Sequence, residues 1–286
     1  MQVPLFSIIV TSYNREKYIA ETLDSILSQS FSNYELILVD DCSIDETYEI
    51  ALSFKNQFTS AVFFKNEKNI GQFKNRNFAA SLATGDFILY VDSDDTIKDG
   101  SFSYLSQVVS KYKDVDFFLI NKIPNTIECM RLSPQEAYNH HFCKKSILHI
   151  GPGGTLIKRS LFYKINGFPI CYGAVGDLYY NLMAAANSNI LLLDFDFLNY
   201  RRHPDQEINK HYDYLIYGYK YFIDILSMPS SPLVERERKR LVNKSKRRFL
   251  INCFRYAFKV RSLKIIPSSM KKVGFSFSDF FIALIA

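Results

Sequence analysis

Three carboxylates lie within four positions in the stretch YVDSDDT, at Asp92, Asp94 and Asp95. They follow the apolar run FILYV, which predicts a buried strand that ends where the acids begin. Like charges this close repel one another, and hard divalent cations such as Mg²⁺ are bound by carboxylate oxygens together with phosphate groups. We therefore expect a metal ion to balance the cluster and to bridge it to a diphosphate. The alternative is an Asp-rich turn whose solvated side chains cap the next helix.

A second acidic pair, Asp40 and Asp41, follows the apolar run ELILV. Carboxylates at the end of a strand can accept hydrogen bonds from a nucleotide base or from ribose hydroxyls. Acids at this point also suit the N-terminus of the helix that follows, because they interact favourably with the helix dipole. The residues alone leave both interpretations open.

Strand-like and helix-like segments alternate along the first part of the chain. Strands are predicted for LFSIIVT, ELILVD, AVFFK and DFILYVD, with helices between them. This alternation predicts right-handed βαβ units and a mostly parallel sheet, which binds ligands beyond the carboxyl ends of its strands. Two S-x-x-E capping boxes, Ser43 with Glu46 and Ser133 with Glu136, predict where two further helices begin.

The composition is that of a globular protein. The 286 residues are 48% hydrophobic, which suits one large α/β domain, or a domain with an extension. The five cysteines have no C-x-x-C spacing, so reduced thiols in the cytoplasm are expected and structural zinc is not. We find no signal-peptide pattern and no apolar run of about 18 residues, so we expect no membrane span.

Charge is distributed unevenly, because residues 236–286 carry 14 of the 35 Lys and Arg residues but 2 of the 29 Asp and Glu residues. Such a basic segment indicates an anionic partner. Phe249, Cys253, Tyr256 and Val260 can share one helical face between basic residues, which predicts a contact of this segment with an anionic membrane surface. The alternative is a helical subdomain that packs this face on the rest of the protein. No nucleic-acid motif accompanies the charge, so no nucleic-acid partner is expected.

Four stretches, taken together, resemble the family 2 glycosyltransferases: SIIVTSYNREKYIAETLDSILSQSF, ELILVDDCSIDET, NIGQFKNRNFAASLATGDFILYVDSDD and the GD of AVGDLYYNLMAA. The resemblance covers about residues 4–205. It implies the GT-A nucleotide-diphospho-sugar transferase fold and an inverting, non-processive transfer of a sugar from a nucleotide-diphospho-sugar, usually a UDP-sugar. The acceptor would be a hydroxyl of a glycan or lipid-linked molecule in surface polysaccharide biosynthesis.

The resemblance also implies roles for individual positions. The nucleotide would be held by Thr11, Tyr13, Asp41, Arg76, Asp92, Ser93 and Asp94. A Mn²⁺ or Mg²⁺ ion would be held by Asp94, Asp92, Asp95 and His203. Gly153 and Gly154 would belong to a loop that lines the donor sugar and the acceptor. Asp177 would be the catalytic base that takes the proton of the acceptor hydroxyl.

Two positions depart from the family pattern, since Gly176 stands where Glu is usual and Cys42 stands where Gly is usual. The chain has no tryptophan, and this absence, with the lack of predicted spans, argues against a processive polysaccharide synthase. Two other functions stay open. One is a nucleotidyltransferase of the same fold class, which would release pyrophosphate; the other is a non-catalytic subunit that binds sugar nucleotides, as the Gly176 departure allows.

We therefore predict an α/β protein with a Rossmann-like, mostly parallel sheet flanked by helices and a helical, basic C-terminal extension. The catalytic domain would span residues 1–227, with a nucleotide-binding half at 1–121 and an acceptor half at 122–227. The extension would span 228–286, after the linker-like MPSSP. The protein is expected in the cytoplasm, with a peripheral contact to the inner face of the membrane.

Overall fold

The computed structural model describes residues 3–120, 129–202 and 211–285. Within them the strands are β1 Phe6–Ser12, β2 Tyr34–Asp40, β3 Ala61–Lys65, β4 Phe87–Asp92, β5 Thr96–Ile97, β6 Phe117–Ile120, β7 Met130–Leu132, β8 Thr155–Lys158, β9 Ile190–Leu193 and β10 Leu198–Asn199. The helices are α1 Ile19–Leu27, α2 Thr47–Ser53, α3 Gln72–Ser81, α4 Ser101–Lys111, α5 Pro134–Asn139, α6 Arg159–Lys164, α7 Gly176–Asn187, α8 His211–Ser227, α9 Glu235–Lys259, α10 Ile265–Lys272 and α11 Phe277–Ile285.

Eight of the described strands form one sheet in the order β3-β2-β1-β4-β8-β6-β9-β7. The pairs β1–β2, β1–β4, β2–β3 and β6–β9 are parallel. Strand β8 runs antiparallel between β4 and β6, and β7 is antiparallel to β9. The predicted α/β class with a mostly parallel sheet is therefore confirmed.

Helices cover both faces of the sheet because its strands are apolar on both sides. Successive residues of a strand point to opposite faces, and two hydrophobic clusters result. Ile9 and Ile37 belong to one of them, while Ile8 and Leu36 belong to the other. Each cluster is buried, so the sheet is held as a rigid platform for the side chains at its edge.

The two predicted capping boxes have different outcomes. Ser133 and Glu136 form both reciprocal hydrogen bonds at the start of α5, so this box is confirmed. The box at Ser43 is wrong, because its hydroxyl donates to Asp40 Oδ2 and accepts from the Asn14 backbone N–H instead. Helix α2 begins later, at Thr47, whose backbone N–H donates to Asp45 Oδ1 at 3.1 Å, and its N-cap residue Glu46 makes no side-chain capping bond. Because Ser43 forms these contacts with residues outside the helix, it does not cap α2 as the local sequence pattern predicted.

Helices α8 to α11 confirm the helical C-terminal region, but they correct the predicted membrane face. Phe249 and Cys253 are buried, in a cluster that includes Ile216 and Tyr219 of α8. These two residues of the predicted face therefore pack within the protein, as the alternative interpretation had it, whereas Val260 is 40% exposed, and the membrane contact itself stays a prediction. The predicted boundary near residue 228 stays a prediction; in the structure, Leu241 of α9 lies in the same cluster as residues of the sheet.

No helix among the described residues is both long enough and apolar enough to cross a membrane.

Candidate active site

The carboxyl ends of β1, β2 and β4 meet at one edge of the sheet. Parallel pairing places Ser12 beside Asp40 and Thr11 beside Asp92. A cavity of about 410 Å³ opens at this edge. Among the predicted site residues, it is lined by Thr11, Tyr13, Asp41, Arg76, Asp92, Ser93, Asp94 and Asp177. Segments far apart in the sequence are thus brought together where open α/β sheets bind their ligands.

Arginines balance the acidic cluster. Arg76 Nη2 lies 2.6 Å from Asp92 Oδ1, and Arg15 Nε lies 3.1 Å from Asp94 Oδ2. Protein cations from α3 and from the loop after β1 thus already offset part of this charge, which the sequence analysis did not foresee, and the expected metal ion stays a prediction. Sequence reasoning did not identify Arg15 as a site residue, since nothing local links it to an acid 79 positions away.

Arg76 also keeps unused hydrogen-bonding capacity beside the cavity. Its Nη1 donates to Gln72 Oε1 at 3.1 Å. Its Nε–H is buried and finds no acceptor among the described residues. A buried donor without a partner costs about 1–3 kcal/mol.

Asp95 is set apart from the other two acids. Asp95 is buried and is not among the described residues that line the cavity. Its carboxylate accepts a hydrogen bond from the Arg201 backbone N–H at 3.0 Å. Burial, together with the charges of Asp92 and Asp94, raises its pKa to about 7. Its assignment as a metal ligand stays a prediction.

Asp177 lies at the first turn of α7, where its Oδ1 accepts a hydrogen bond from the Leu178 backbone N–H at 2.7 Å. Burial raises the pKa of this carboxyl to about 6, although that hydrogen bond and the Arg76 charge oppose the rise. At pH 7 the group is therefore still mostly ionised, yet it is more basic than an ordinary aspartate. A carboxylate of this kind, in a cavity, is suited to accept a proton.

Asp41 organises the loop that borders the cavity. Its Oδ1 accepts from Asn66 Nδ2 and from the Ile70 backbone N–H, and its Oδ2 accepts from the Gly71 backbone N–H, each at 2.9 Å. Tyr13, in contrast, is 43% exposed and lines the same cavity. Asp41 therefore fixes the loop beside the cavity, and the binding of a nucleotide base by Asp41 and Tyr13 stays a prediction. Asn66 was not predicted, because a single asparagine in a loop carries no signal.

Gly153 and Gly154 form a short 3-10 turn before β8. A Cβ atom on Gly153 would lie 3.3 Å from Asp92 Oδ2, and one on Gly154 would lie 2.5 Å from Ile150 Cγ2. Glycine is needed here because the backbone approaches its neighbours closely. Neither residue is among the described residues that line the cavity, although Pro152 is. Their contact with donor and acceptor stays a prediction, and His203 lies outside the described residues.

Both departures from the family pattern have structural consequences. A Cβ atom on Gly176 would lie 2.6 Å from Cε2 of the buried Phe73 ring, so glycine lets α7 approach α3. Cys42 has φ of 65°, in the left-handed region where glycine is usual.

The carboxylates at the cavity provide some of the ligands that a metal ion requires. Among the described residues, no three His, Cys, Asp or Glu side chains form a group that could hold one. Mg²⁺, however, typically takes one or two carboxylates and completes its shell with water and substrate phosphates. Asp92 and Asp94 satisfy that smaller requirement, so the residues present fit a metal ion that binds together with a diphosphate.

Comparison with known proteins identifies the family. The Glycosyl transferase family 2 profile matches residues 7–165, which is more than half of the chain. The chain belongs to this family.

Individual relatives match over shorter stretches. The poly(ribitol-phosphate) beta-N-acetylglucosaminyltransferase TarS of Staphylococcus aureus is 42% identical over 103 residues, which are 34% of this chain and 18% of that protein. The glycosyltransferase GlyG of Streptococcus pneumoniae is 38% identical over 117 residues, which are 41% of this chain and 38% of that protein. The matched stretches thus span less than half of the length of either relative.

Solved structures match over nearly the whole chain. The crystal structure of S. aureus TarS 1–349 superposes with a TM-score of 0.72 at 25% identity, covering 97% of this chain and 80% of that one. The same protein in complex with UDP-GlcNAc gives a TM-score of 0.73 at 23% identity, covering 94% and 79%. The fold is therefore that of TarS, including a helical region after the sheet.

Proposed function

We propose that this protein is an inverting glycosyltransferase that moves a sugar from a UDP-sugar to a hydroxyl group of a glycan or lipid-linked acceptor. One observation carries the proposal: a carboxylate whose pKa is raised, Asp177, shares a cavity with the cationic Arg76 and the acidic Asp92 and Asp94. This arrangement supports a base and a diphosphate-binding group at one site. The UDP-GlcNAc complex of TarS, which has this fold, supports a UDP-sugar as donor.

Residues of the chain itself accept the proton of the acceptor and stabilise much of the negative charge that develops on the leaving group. Asp177 accepts the proton of the acceptor hydroxyl while that oxygen attacks the anomeric carbon. The bond from that carbon to the diphosphate oxygen breaks on the opposite face of the sugar, and the nucleoside diphosphate leaves with the electron pair. Arg76, whose cationic side chain lines the cavity, stabilises the negative charge that develops on the leaving group.

A metal ion is part of the proposal, with Asp92 and Asp94 holding it beside the diphosphate. When bound, Mn²⁺ or Mg²⁺ supplies Lewis-acid stabilisation of the leaving diphosphate. The carboxylates are already paired with Arg76 and Arg15, so donor binding without metal is expected to be weakened rather than abolished.

The acceptor is proposed to be an intermediate of a cell-surface polymer. TarS is named for poly(ribitol-phosphate), and a further relative in Bacillus subtilis is named as a minor teichoic acid biosynthesis protein. A lipid-linked acceptor would suit an enzyme that contacts the inner face of the cytoplasmic membrane. The basic helices α9 to α11 are the proposed contact, through residues other than the buried Phe249 and Cys253.

The experiment is a panel of nucleotide sugars incubated with the full chain, with Mn²⁺ or with EDTA, followed by chromatography of the nucleotide product. We expect UDP from one UDP-sugar, faster with Mn²⁺, and calorimetric UDP binding that weakens with EDTA and in Asp94→Ala. Pyrophosphate as product would instead identify a nucleotidyltransferase. Binding of a donor with no turnover, even with poly(ribitol phosphate) as acceptor, would indicate a non-catalytic subunit.

A further inference from the structure

A second cavity, of about 490 Å³, lies between the catalytic region and the C-terminal helices. Its walls come from α8 and α9 and from the segment that follows α5, which contributes His141 and His149. No part of the mechanism proposed above uses this cavity. Its volume suits a ligand of several sugar or polyol units.

The charge of this second cavity is positive. Lys244 and Arg248, one turn apart on α9, both line it. Among the described residues, the lining includes no Asp or Glu, and neither cation takes part in an ion pair. Two solvated cations, with no acid among the described residues of the lining, form a site that favours an anion over a cation or a neutral group.

His141 adds a neutral donor to the same wall. Its Nδ1 accepts hydrogen bonds from the backbone N–H groups of Ile147 and Leu148, at 3.3 and 3.1 Å. The ring proton therefore resides on Nε2, which finds no acceptor among the described residues. Burial, reinforced by the neighbouring histidines, lowers the His141 pKa to about 3, so the ring is neutral at physiological pH.

Aromatic side chains complete the cavity. Tyr219 stacks on Phe249 with ring centroids 4.4 Å apart, and Phe142 meets Phe222 edge to face at 5.3 Å. All four residues line the cavity. Aromatic faces beside basic groups provide apolar surface for the carbon skeleton of a polyol or sugar, while the cations hold its charged groups.

Helix α8 borders the second cavity and also packs against the segment that leads to the proposed base. A Cβ atom on Gly173, four residues before Asp177, would lie 3.1 Å from the Tyr217 ring of α8. Tyr221, one turn further along α8, lines the second cavity. Burial raises the pKa of the Tyr221 hydroxyl to about 12, while the Arg248 charge lowers it and the Asp177 charge raises it.

We propose that the second cavity is an acceptor subsite that binds a phosphate group of the acceptor chain through Lys244 and Arg248. The inference rests on the proposed glycosyltransferase function and names its acceptor class: a chain of polyol or sugar units joined by phosphodiesters. A chain held at Lys244 and Arg248 extends along α8 toward Asp177, so a hydroxyl some units away reaches the base. Phosphate groups on a membrane surface share this chemistry, and the experiment separates the two sources.

Binding is measured calorimetrically without donor, so the result does not depend on turnover. The probes are a short synthetic ribitol-phosphate oligomer, an uncharged maltooligosaccharide of similar length and phosphatidylglycerol vesicles. We expect Lys244→Gln/Arg248→Gln to weaken oligomer binding by about tenfold or more, as the loss of charge-assisted hydrogen bonds implies. The maltooligosaccharide should bind at least about tenfold more weakly than the oligomer to the unaltered protein.

The matched control is Arg255→Gln/Lys259→Gln, which removes two exposed cations with the same spacing from the same helix, outside the cavity. It should leave oligomer affinity within twofold. Equal losses in both double variants would mean general charge attraction and would overturn the proposal. So would retained oligomer binding in Lys244→Gln/Arg248→Gln, or a loss confined to vesicles.

Donor binding separates this inference from the proposed function. Lys244 and Arg248 do not line the donor cavity, so UDP affinity and melting temperature should be unchanged in their double variant. Oligomer binding that depends on these two cations supports the subsite even if no UDP-sugar is turned over. Transfer from a UDP-sugar to an uncharged acceptor, with no affinity for the oligomer, supports the proposed function and overturns the subsite.

Discussion

The pKa of Asp177 is set by two opposing influences, burial on one side and favourable electrostatic contacts on the other. Burial disfavours its charge, while the N-terminus of α7 and the Arg76 guanidinium favour it, and the result is a pKa of about 6. The carboxylate is thus basic enough to accept a proton and ionised enough to do so near pH 7. Replacing Asp177 by asparagine removes the charge but keeps the shape of the side chain, and so isolates the contribution of the base.

We expect Asp177→Asn to reduce transfer by about 10²–10⁴-fold, the usual contribution of a general base. Donor affinity should stay within a few-fold, because the amide occupies the same space beside the Leu178 backbone. The measurements are single-turnover transfer and UDP-sugar calorimetry on the same preparation. Transfer above about a tenth of the wild-type rate would show that another residue is the base.

The pKa of Asp177 also predicts a pH profile. The carboxyl is protonated as the pH falls through about 6, so transfer should decline from pH 7 to pH 5. An ordinary aspartate, with a pKa of about 4, would give no decline in that range. The profile of kcat/KM for the acceptor, measured between pH 5 and 8, distinguishes the two. A flat profile down to pH 5 would contradict the assignment.

Gly176 allows α7 to approach the Phe73 ring, which stacks on Phe168 with centroids 5.4 Å apart. We expect Gly176→Ala to destabilise the protein by about 1–3 kcal/mol through overpacking. The additional change Phe73→Leu should recover part of this loss. Urea unfolding measures both, with Gly151→Ala as control because a Cβ there meets nothing within 4 Å. Full stability of Gly176→Ala would show that the ring moves freely.

Sequence reasoning identified about half of the described residues that line the cavity. Asp41 and Asp92 were found because they follow recognisable strands, and Thr11 was found through the family resemblance. Arg15 and Asn66 were missed, because their partners are distant in sequence and only the fold brings them together. Motifs therefore predicted the residues that line the cavity better than the residues that pair with them through charge or hydrogen bonds.

Among the elements, the end of the sheet opposite the cavity is held by one buried carboxylate. Glu35 Oε1 of β2 accepts from Ser7 Oγ of β1 at 2.6 Å. It also accepts from the backbone N–H groups of Thr84 and Gly85, at 2.7 and 3.0 Å, in the turn before β4. Glu35 therefore connects three neighbouring strands, an arrangement that strand periodicity could not predict.

We expect Glu35→Leu to lower the free energy of unfolding by about 3 kcal/mol or more, since each buried donor left without an acceptor costs about 1–3 kcal/mol. Glu35→Gln should cost less, because an amide oxygen can still accept. The measurement is urea unfolding. Glu49→Leu is the control, as this exposed residue forms one surface ion pair with Lys65 at 3.6 Å. If Glu35→Leu lowered the free energy of unfolding as little as Glu49→Leu does, the three strands would not depend on Glu35.

At the scale of the whole molecule, the basic C-terminal helices both pack on the protein and expose apolar side chains. Phe249 and Cys253 point inward, whereas Ile251, Phe254 and Phe258 form an exposed stripe on another face of α9. The sequence predicted a basic amphipathic helix, but two of the four residues that it assigned to the membrane, Phe249 and Cys253, are buried in the protein. Both faces are apolar, and only the position of α8 decides which is covered.

The exposed apolar residues extend to α11, where Phe277 and Phe281 are 78% and 53% exposed and their rings meet at 4.9 Å. Aromatic residues beside many cations suit the interface of an anionic membrane, where each Lys or Arg contributes about 1 kcal/mol. Removing the C-terminal helices is not a clean test, because Leu233 and Leu241 belong to the main core. Point substitutions on the exposed face avoid that damage.

We expect the full chain to co-sediment with phosphatidylglycerol vesicles and not with phosphatidylcholine vesicles. Phe277→Ser/Phe281→Ser should reduce the bound fraction severalfold at equal lipid, because it removes the aromatic anchors while the charge is kept. The matched control is Ile44→Ser/Ile170→Ser, which removes two apolar side chains that are 88% and 61% exposed elsewhere. Binding that ignores vesicle charge, or that falls equally in both double variants, would rule out α11 as the membrane contact.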